Sequence, residues 1–244
     1  MTDTSFKGPA IAIEGVSKAY GRTVALRDLD LQVPWGQVLT ILGPNGSGKT
    51  TLIKILATLT KPDAGSVKIA GLDMKRDGQW IRQVIGVVTH DPLLYDDLTG
   101  RENLRFATRL FDVKDPDGRI ESVSRQLGIT TRLDQRVGTL SHGWKKRISL
   151  ARALLHDPPI LLMDEPESGL DQQALTGLEY IVKDESRPSR TVVLTTHNFE
   201  RGLFLGDQVA IIAKGRLAYY ESTVNAPDPD TLRDTYVRYV GVAS

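Results

Sequence analysis

The residues best suited to chemistry form one stretch, Gly43-Pro44-Asn45-Gly46-Ser47-Gly48-Lys49-Thr50. Its spacing fits G-x-x-x-x-G-K-[ST], a loop that wraps phosphate groups. Three glycines let the backbone curl so that successive N–H groups point inward at phosphate oxygens. A helix starting at the end of the loop adds its dipole and its free N–H groups. In such a loop Lys49 reaches the β- and γ-phosphates of a nucleotide, and the Thr50 hydroxyl can bind Mg2+. The bland alternative is a glycine-rich turn. The flanks argue against it, because Val38-Leu39-Thr40-Ile41-Leu42 reads as a buried strand and Thr51-Leu52-Ile53-Lys54-Ile55-Leu56-Ala57 as a helix.

Three further groups point at the same chemistry. Asp164 and Glu165 follow the apolar run Ile160-Leu161-Leu162-Met163, so they sit where a buried strand meets its loop. Ligands of open parallel sheets bind outside the carboxyl ends of the strands. One carboxylate beside Mg2+ and one aimed at a water suit phosphoanhydride hydrolysis. His197 ends the strand Thr191–Thr196, where it can hydrogen-bond a γ-phosphate or the attacking water. Leu140-Ser141-His142-Gly143-Trp144 opens the most regular amphipathic helix, with Ser141 as N-cap. Such a turn at a helix N-terminus is also an anion site, and it need not reach the chain's own nucleotide.

The elements that must hold these groups alternate in type. Ala10–Val16, Val24–Val33 and Ser66–Ala70 alternate polar and apolar residues, which predicts an antiparallel sheet with one exposed face, Tyr20-Gly21 lying in the first loop. Val84–Val88 is continuously apolar and reads as a strand of a buried parallel sheet. Thr99-Gly100-Arg101-Glu102 is a capping box, and Asp115-Pro116 opens another helix. Residues of about 92 to 155 therefore form a helical segment inside an α/β chain. After the strand Thr191–Thr196, Val209–Ala213, Lys214-Gly215 and Arg216–Tyr220 make a hairpin, and the chain from Glu221 onward reads as a polar tail.

The bulk composition narrows the setting. The chain has 244 residues, enough for one domain or a domain with one insert. A net charge of +1 gives no broad attraction to nucleic acid. Cysteine is absent, which excludes disulfides and thiolate metal sites. The stretch Met1–Pro9 is polar, and no apolar run approaches the ~20 residues of a membrane span. These features predict a soluble chain that docks on something else.

Taken together, the motifs resemble the nucleotide-binding subunit of an ABC transporter over about residues 10 to 220. Gly43 to Thr50 is similar to the Walker A motif, with Thr51 as its second threonine. Ile160 to Asp164 resembles Walker B, with Glu165 at the catalytic base position. Leu140 to Trp144 falls at the family signature, Ser168-Gly169-Leu170-Asp171 at the D-loop, His197 at the switch histidine and Tyr20 at the aromatic that stacks on adenine. The resemblance implies a P-loop NTPase (RecA-like) α/β core with an antiparallel β subdomain and an inserted α-helical subdomain. It implies a domain over 1–220 and a tail over 221–244. It also implies ATP and Mg2+ as ligands, with Thr50 and Asp164 on the metal. Two subunits, as a homodimer, would pair head to tail and sandwich two ATP molecules. Each would be held by one Walker A and by Ser141 and Gly143 of the other subunit. Transmembrane permease subunits at the cytoplasmic face of the inner membrane would convert closure and reopening into transport.

Three departures from the family pattern carry information. His142 and Trp144 replace a Gly and the Gln of the usual Leu-Ser-Gly-Gly-Gln. Glu167 stands where Thr or Phe is common, and is expected to face solvent or the partner. His90 stands where a Gln touches Mg2+, and imidazole is a poorer ligand for that hard ion. His90, Pro92 and Glu102-Asn103-Leu104-Arg105-Phe106 together resemble the haem exporter subunit of cytochrome c maturation. The alternatives within the family are drug, lipid or polysaccharide exporters of short build. Outside it stand a soluble non-transport ABC ATPase, which would carry tandem domains or a long coiled coil, and a GTPase, which would need a guanine-reading motif.

Overall fold

The computed structural model describes residues 8–184, 186–223 and 229–241. Most of the Met1–Pro9 stretch lies outside the described residues. Among the described residues, ten strands and eight α-helices divide into two sheets and a helical layer.

The first sheet holds β1 (Ile11–Tyr20), β2 (Thr23–Val33), β4 (Ala64–Ile69) and β5 (Leu72–Asp73) in the order β2-β1-β4-β5, all antiparallel. The alternating pattern predicted this sheet. β1 runs longer than its apolar stretch suggests, and Tyr20 is its last residue, paired with Thr23, not a loop residue. The second sheet holds β3 (Val38–Leu42), β6 (Ile85–Val88), β7 (Ile160–Asp164), β8 (Thr191–Thr195), β9 (Gln208–Ala213) and β10 (Arg216–Ser222) in the order β10-β9-β3-β8-β7-β6. Every pairing is parallel except β9 with β10. β3, β7 and β8 are buried at every position, as expected for a sheet covered on both faces.

Helices cover both faces. α1 (Lys49–Leu56) follows the phosphate loop directly. α2 (Met74–Val84) ends with Val84, so the next strand starts at Ile85, one residue later than the apolar run implies. α3 (Gly100–Leu110) starts with the capping box at Thr99 and Glu102, and α4 (Pro116–Gln126) with Asp115 as cap. α5 (His142–Leu154) packs its apolar face on the sheet. α6 (Gln172–Val182) and α7 (Phe199–Leu205) are capped by the side chains of Asp171 and Asn198.

The polar tail needs correction. Residues Pro229–Val240 form α8, and Leu232 is fully buried on Val209, Ile211 and Leu42. Tyr236 and Val240 lie against the same cluster, and Phe199 meets Tyr236 edge to face at 4.9 Å. Three apolar residues spaced by four suffice to dock one helix face.

Candidate functional site

The site assembles at the carboxyl ends of the parallel strands, beginning with the loop after β3. That loop is built by close backbone approach. A Cβ on Gly48, whose φ is 111°, would stand 2.4 Å from the Ala25 carbonyl. One on Gly43 would meet the Ile212 carbonyl at 2.3 Å. The loop curls around a cavity of 400 Å³ lined by Asn45 through Thr51, with Thr23, Ala25 and Glu165 as its other walls. Tyr20, the strand partner of Thr23, does not itself line the cavity and is half exposed.

Two buried groups in the loop are poised for an anion. Lys49 donates from Nζ to the carbonyls of Gly43 at 2.7 Å and Pro44 at 3.1 Å. Burial pulls its pKa down, and the nearby charges of Glu165 and Asp164 hold it up. The Ser47 hydroxyl is buried with no hydrogen-bond partner among the described residues. An orphaned hydroxyl costs about 1–3 kcal/mol. A phosphate oxygen in the loop would accept that proton, so these residues fit a nucleotide.

Of the two carboxylates, Glu165 lines the cavity and Asp164 does not. Asp164 ends β7, is 2% exposed, and accepts a hydrogen bond from Thr195 Oγ1 at 2.7 Å. The same hydroxyl accepts the Glu165 N–H at 2.9 Å. Glu165 itself sits at φ 45°, a left-handed conformation that side chains rarely adopt. His197 Nδ1 lies 3.8 Å from Glu165 Oε1, and its side chain is 68% exposed. Thus Lys49, Thr50 and Glu165 share one cavity, with Asp164 fixed just behind Glu165. The buried Asp164 carboxylate and the Thr50 hydroxyl in the cavity wall are oxygen ligands of the kind a divalent cation takes.

The signature turn is held elsewhere. Ser141 and Gly143 are not among the residues lining the cavity. Ser141 occupies the N-cap position of α5, but its hydroxyl makes no capping hydrogen bond, contrary to the expected cap. Gly143 packs on the chain's own D-loop, where a Cβ would stand 2.5 Å from the Gly169 carbonyl. Trp144 turns inward between Arg132 and Arg147, 5.1 and 4.9 Å from its ring. Arg147 in turn pairs with Asp171. His90 stacks obliquely near His142, with ring centroids 6.4 Å apart, and does not line the cavity. Glu167 does not face solvent freely, because it accepts a hydrogen bond from Thr196 Oγ1.

Sequence reasoning missed two groups that shape this site. Thr195 looks like an ordinary β-branched strand residue, and only its register opposite Asp164 reveals its role. Lys146 looks like a solvated residue of an amphipathic helix, yet it is fully buried.

Comparison with known proteins agrees with this geometry. The ABC transporter family profile matches residues 26–168. The chain is 35% identical over 210 residues to the uncharacterised ABC transporter ATP-binding protein YdbJ of Bacillus subtilis, covering 86% of this chain and 68% of that protein. It is 35% identical to the Nod factor export ATP-binding protein I of Burkholderia orbicola, covering 92% and 79%. A solved ATP-binding subunit of an ABC transporter superposes with a TM-score of 0.82 at 25% identity, covering 96% and 95%. The ATP-binding cassette MJ0796, a dimer captured after hydrolysis with ADP and phosphate, gives 0.78 at 26% identity, covering 87% and 98%. This chain belongs to the ABC transporter family, as an ATP-binding and ATP-hydrolysing subunit.

Proposed function

We propose that this chain powers export of a small molecule through separate membrane subunits, as half of a head-to-tail homodimer. The observation that carries the ATPase site is the convergence of Lys49, Thr50 and Glu165 on one cavity, with Asp164 behind it. In this reading Gly43 to Thr51 hold the phosphates and Tyr20 stacks on adenine. Thr50 and Asp164 would hold Mg2+, and the ion would supply charge neutralisation at the phosphates. Glu165 polarises the attacking water, and His197 keeps that water and the γ-phosphate in line. Ser141 and Gly143, which do not line their own cavity, serve the nucleotide of the partner. Residues 1–220 act as the ATP-binding domain, with 92–155 as its helical subdomain.

Export is supported by relatives named for Nod factor export and for daunorubicin resistance. No described helix is long and apolar enough to cross a membrane. A groove of 630 Å³ between the sheet and α3 offers the membrane subunits a largely apolar seat, with Leu93, Tyr95, Phe106 and Leu110 exposed along it. The setting is the cytoplasmic face of the inner membrane. Haem export for cytochrome c maturation is the narrower second reading, resting on His90 and Glu102–Phe106. Drug or Nod factor type export is favoured by the relatives named above.

The test is affinity capture of the tagged chain from solubilised membranes, with identification of what is retained. Co-purification of a small-molecule export permease supports the proposal. Recovery of cytochrome c maturation subunits shifts it to the haem reading. Recovery of an import permease with a substrate-binding protein overturns export.

A further inference from the structure

Among the described residues Lys146 heads the largest fully buried side chains, and no acidic side chain there pairs with it directly. It lies in the first turns of α5, just after the signature residues. Its Nζ donates to the Thr89 carbonyl at 3.1 Å and the Asp164 carbonyl at 3.3 Å. Thr89 follows β6, and Asp164 ends β7, so one ammonium joins the ends of two neighbouring strands. Asp164, Glu167, Glu165 and Asp91 surround it at longer range and favour its charged form, against burial, which disfavours it.

A buried cation on neutral carbonyls is an expensive way to fill space. The contact has a specific geometric consequence. The Asp164 carbonyl and the Glu165 N–H belong to one peptide unit. Lys146 holds its oxygen, and Thr195 Oγ1 holds its N–H at 2.9 Å. Rotation of that unit is what sets the φ of 45° at Glu165. A left-handed non-glycine residue relaxes unless its surroundings hold it.

We propose that Lys146 is a positioning residue for hydrolysis. It clamps the Asp164–Glu165 peptide from its carbonyl side, and so transmits the seating of the signature helix to the orientation of the Glu165 carboxylate. The inference rests on Glu165 acting as proposed above.

The experiment compares Lys146→Met, Lys146→Gln and Glu165→Gln with the wild type. The readouts are ATPase kcat and KM, affinity for a fluorescent ATP analogue, and exchange of the Glu165 amide hydrogen. Lys146→Met removes both donors. It is expected to lower kcat about tenfold or more, keep nucleotide affinity within about twofold, and speed exchange at Glu165. Lys146→Gln restores donors without charge and should recover at least half of the wild-type kcat. Wild-type kcat in Lys146→Met overturns the proposal, as does equal loss of kcat and nucleotide affinity, or a Lys146→Gln no better than Lys146→Met. If Lys146→Met fails to fold, Lys146→Ala decides by the same readouts: a lowered kcat with kept nucleotide affinity and faster exchange at Glu165 supports the clamp, and a wild-type kcat overturns it. Wild-type hydrolysis by Glu165→Gln would overturn the reading of the site itself.

Discussion

Thr195 donates its hydroxyl to Asp164 Oδ1 across a distance of 2.7 Å, at the point where β7 and β8 end in register. Both residues are buried, so the carboxylate has one fixed orientation. Replacing Thr195 by Val keeps the strand's shape and removes the hydroxyl. It also strips the Glu165 N–H of its acceptor. We expect a stability loss of about 1–3 kcal/mol and a kcat lowered about tenfold, with ATP affinity nearly kept. Thermal melting and steady-state kinetics check both.

His90 lies against His142 instead of in the wall of the phosphate cavity. His90→Gln is therefore expected to leave ATP affinity within about twofold of wild type. Titration with a fluorescent nucleotide measures this directly. A large loss of affinity would show that His90 reaches the nucleotide.

His156 makes the chain sensitive to mild acid. Its ring stacks on Phe111 at 3.8 Å, and Nε2 donates to the Ile85 carbonyl at 3.0 Å. Burial pushes its pKa down to about 4, so the folded protein resists the proton that the unfolded chain accepts near pH 6.5. The unfolded state thus binds more protons between those values, and stability falls as pH drops through that window. The loss at pH 5 is roughly 2 kcal/mol. His156→Gln should flatten the difference in melting temperature between pH 7 and pH 5. An unchanged pH slope in that variant would sink the assignment.

Asp157 gathers three arginines. Arg190 donates to it at 2.7 Å, Arg187 pairs with it, and Arg119 of α4 lies 3.8 Å away. Its φ of 53° favours Asp or Asn over other side chains. Asp157→Asn keeps the backbone and removes the charge, leaving the nearly buried Arg190 without its counter-ion. A loss of about 1–3 kcal/mol is expected, tempered by the partial exposure of Asp157. Denaturant unfolding of the variant measures it, and the hydrolytic rate should change little.

Much of this architecture was legible because the chemistry and the folding signals coincide. Apolar runs predicted β3, β6 and β7, and Thr99-Glu102 and Asp115-Pro116 marked the starts of α3 and α4. α2 escaped because only Met74 and Ile81 are buried along it, and its backbone leaves helical geometry at Asp77. α8 escaped because Leu232, Tyr236 and Val240 are scattered among charges, although their spacing was there to be read. Lys146 and Thr195 could not be found by pattern at all. Their roles arise from contacts between strand ends far apart in sequence, which no local periodicity encodes.

The turn between β9 and β10 has a reach beyond its own hairpin. Gly215 donates its N–H to the Ser47 carbonyl at 3.0 Å and accepts from Arg27 N–H at 2.8 Å. The nucleotide loop, the antiparallel sheet and the strand that seats α8 are therefore riveted at one glycine. Any load placed on the C-terminal helix, by a partner or a fused tag, has a short rigid lever to the grip on ATP.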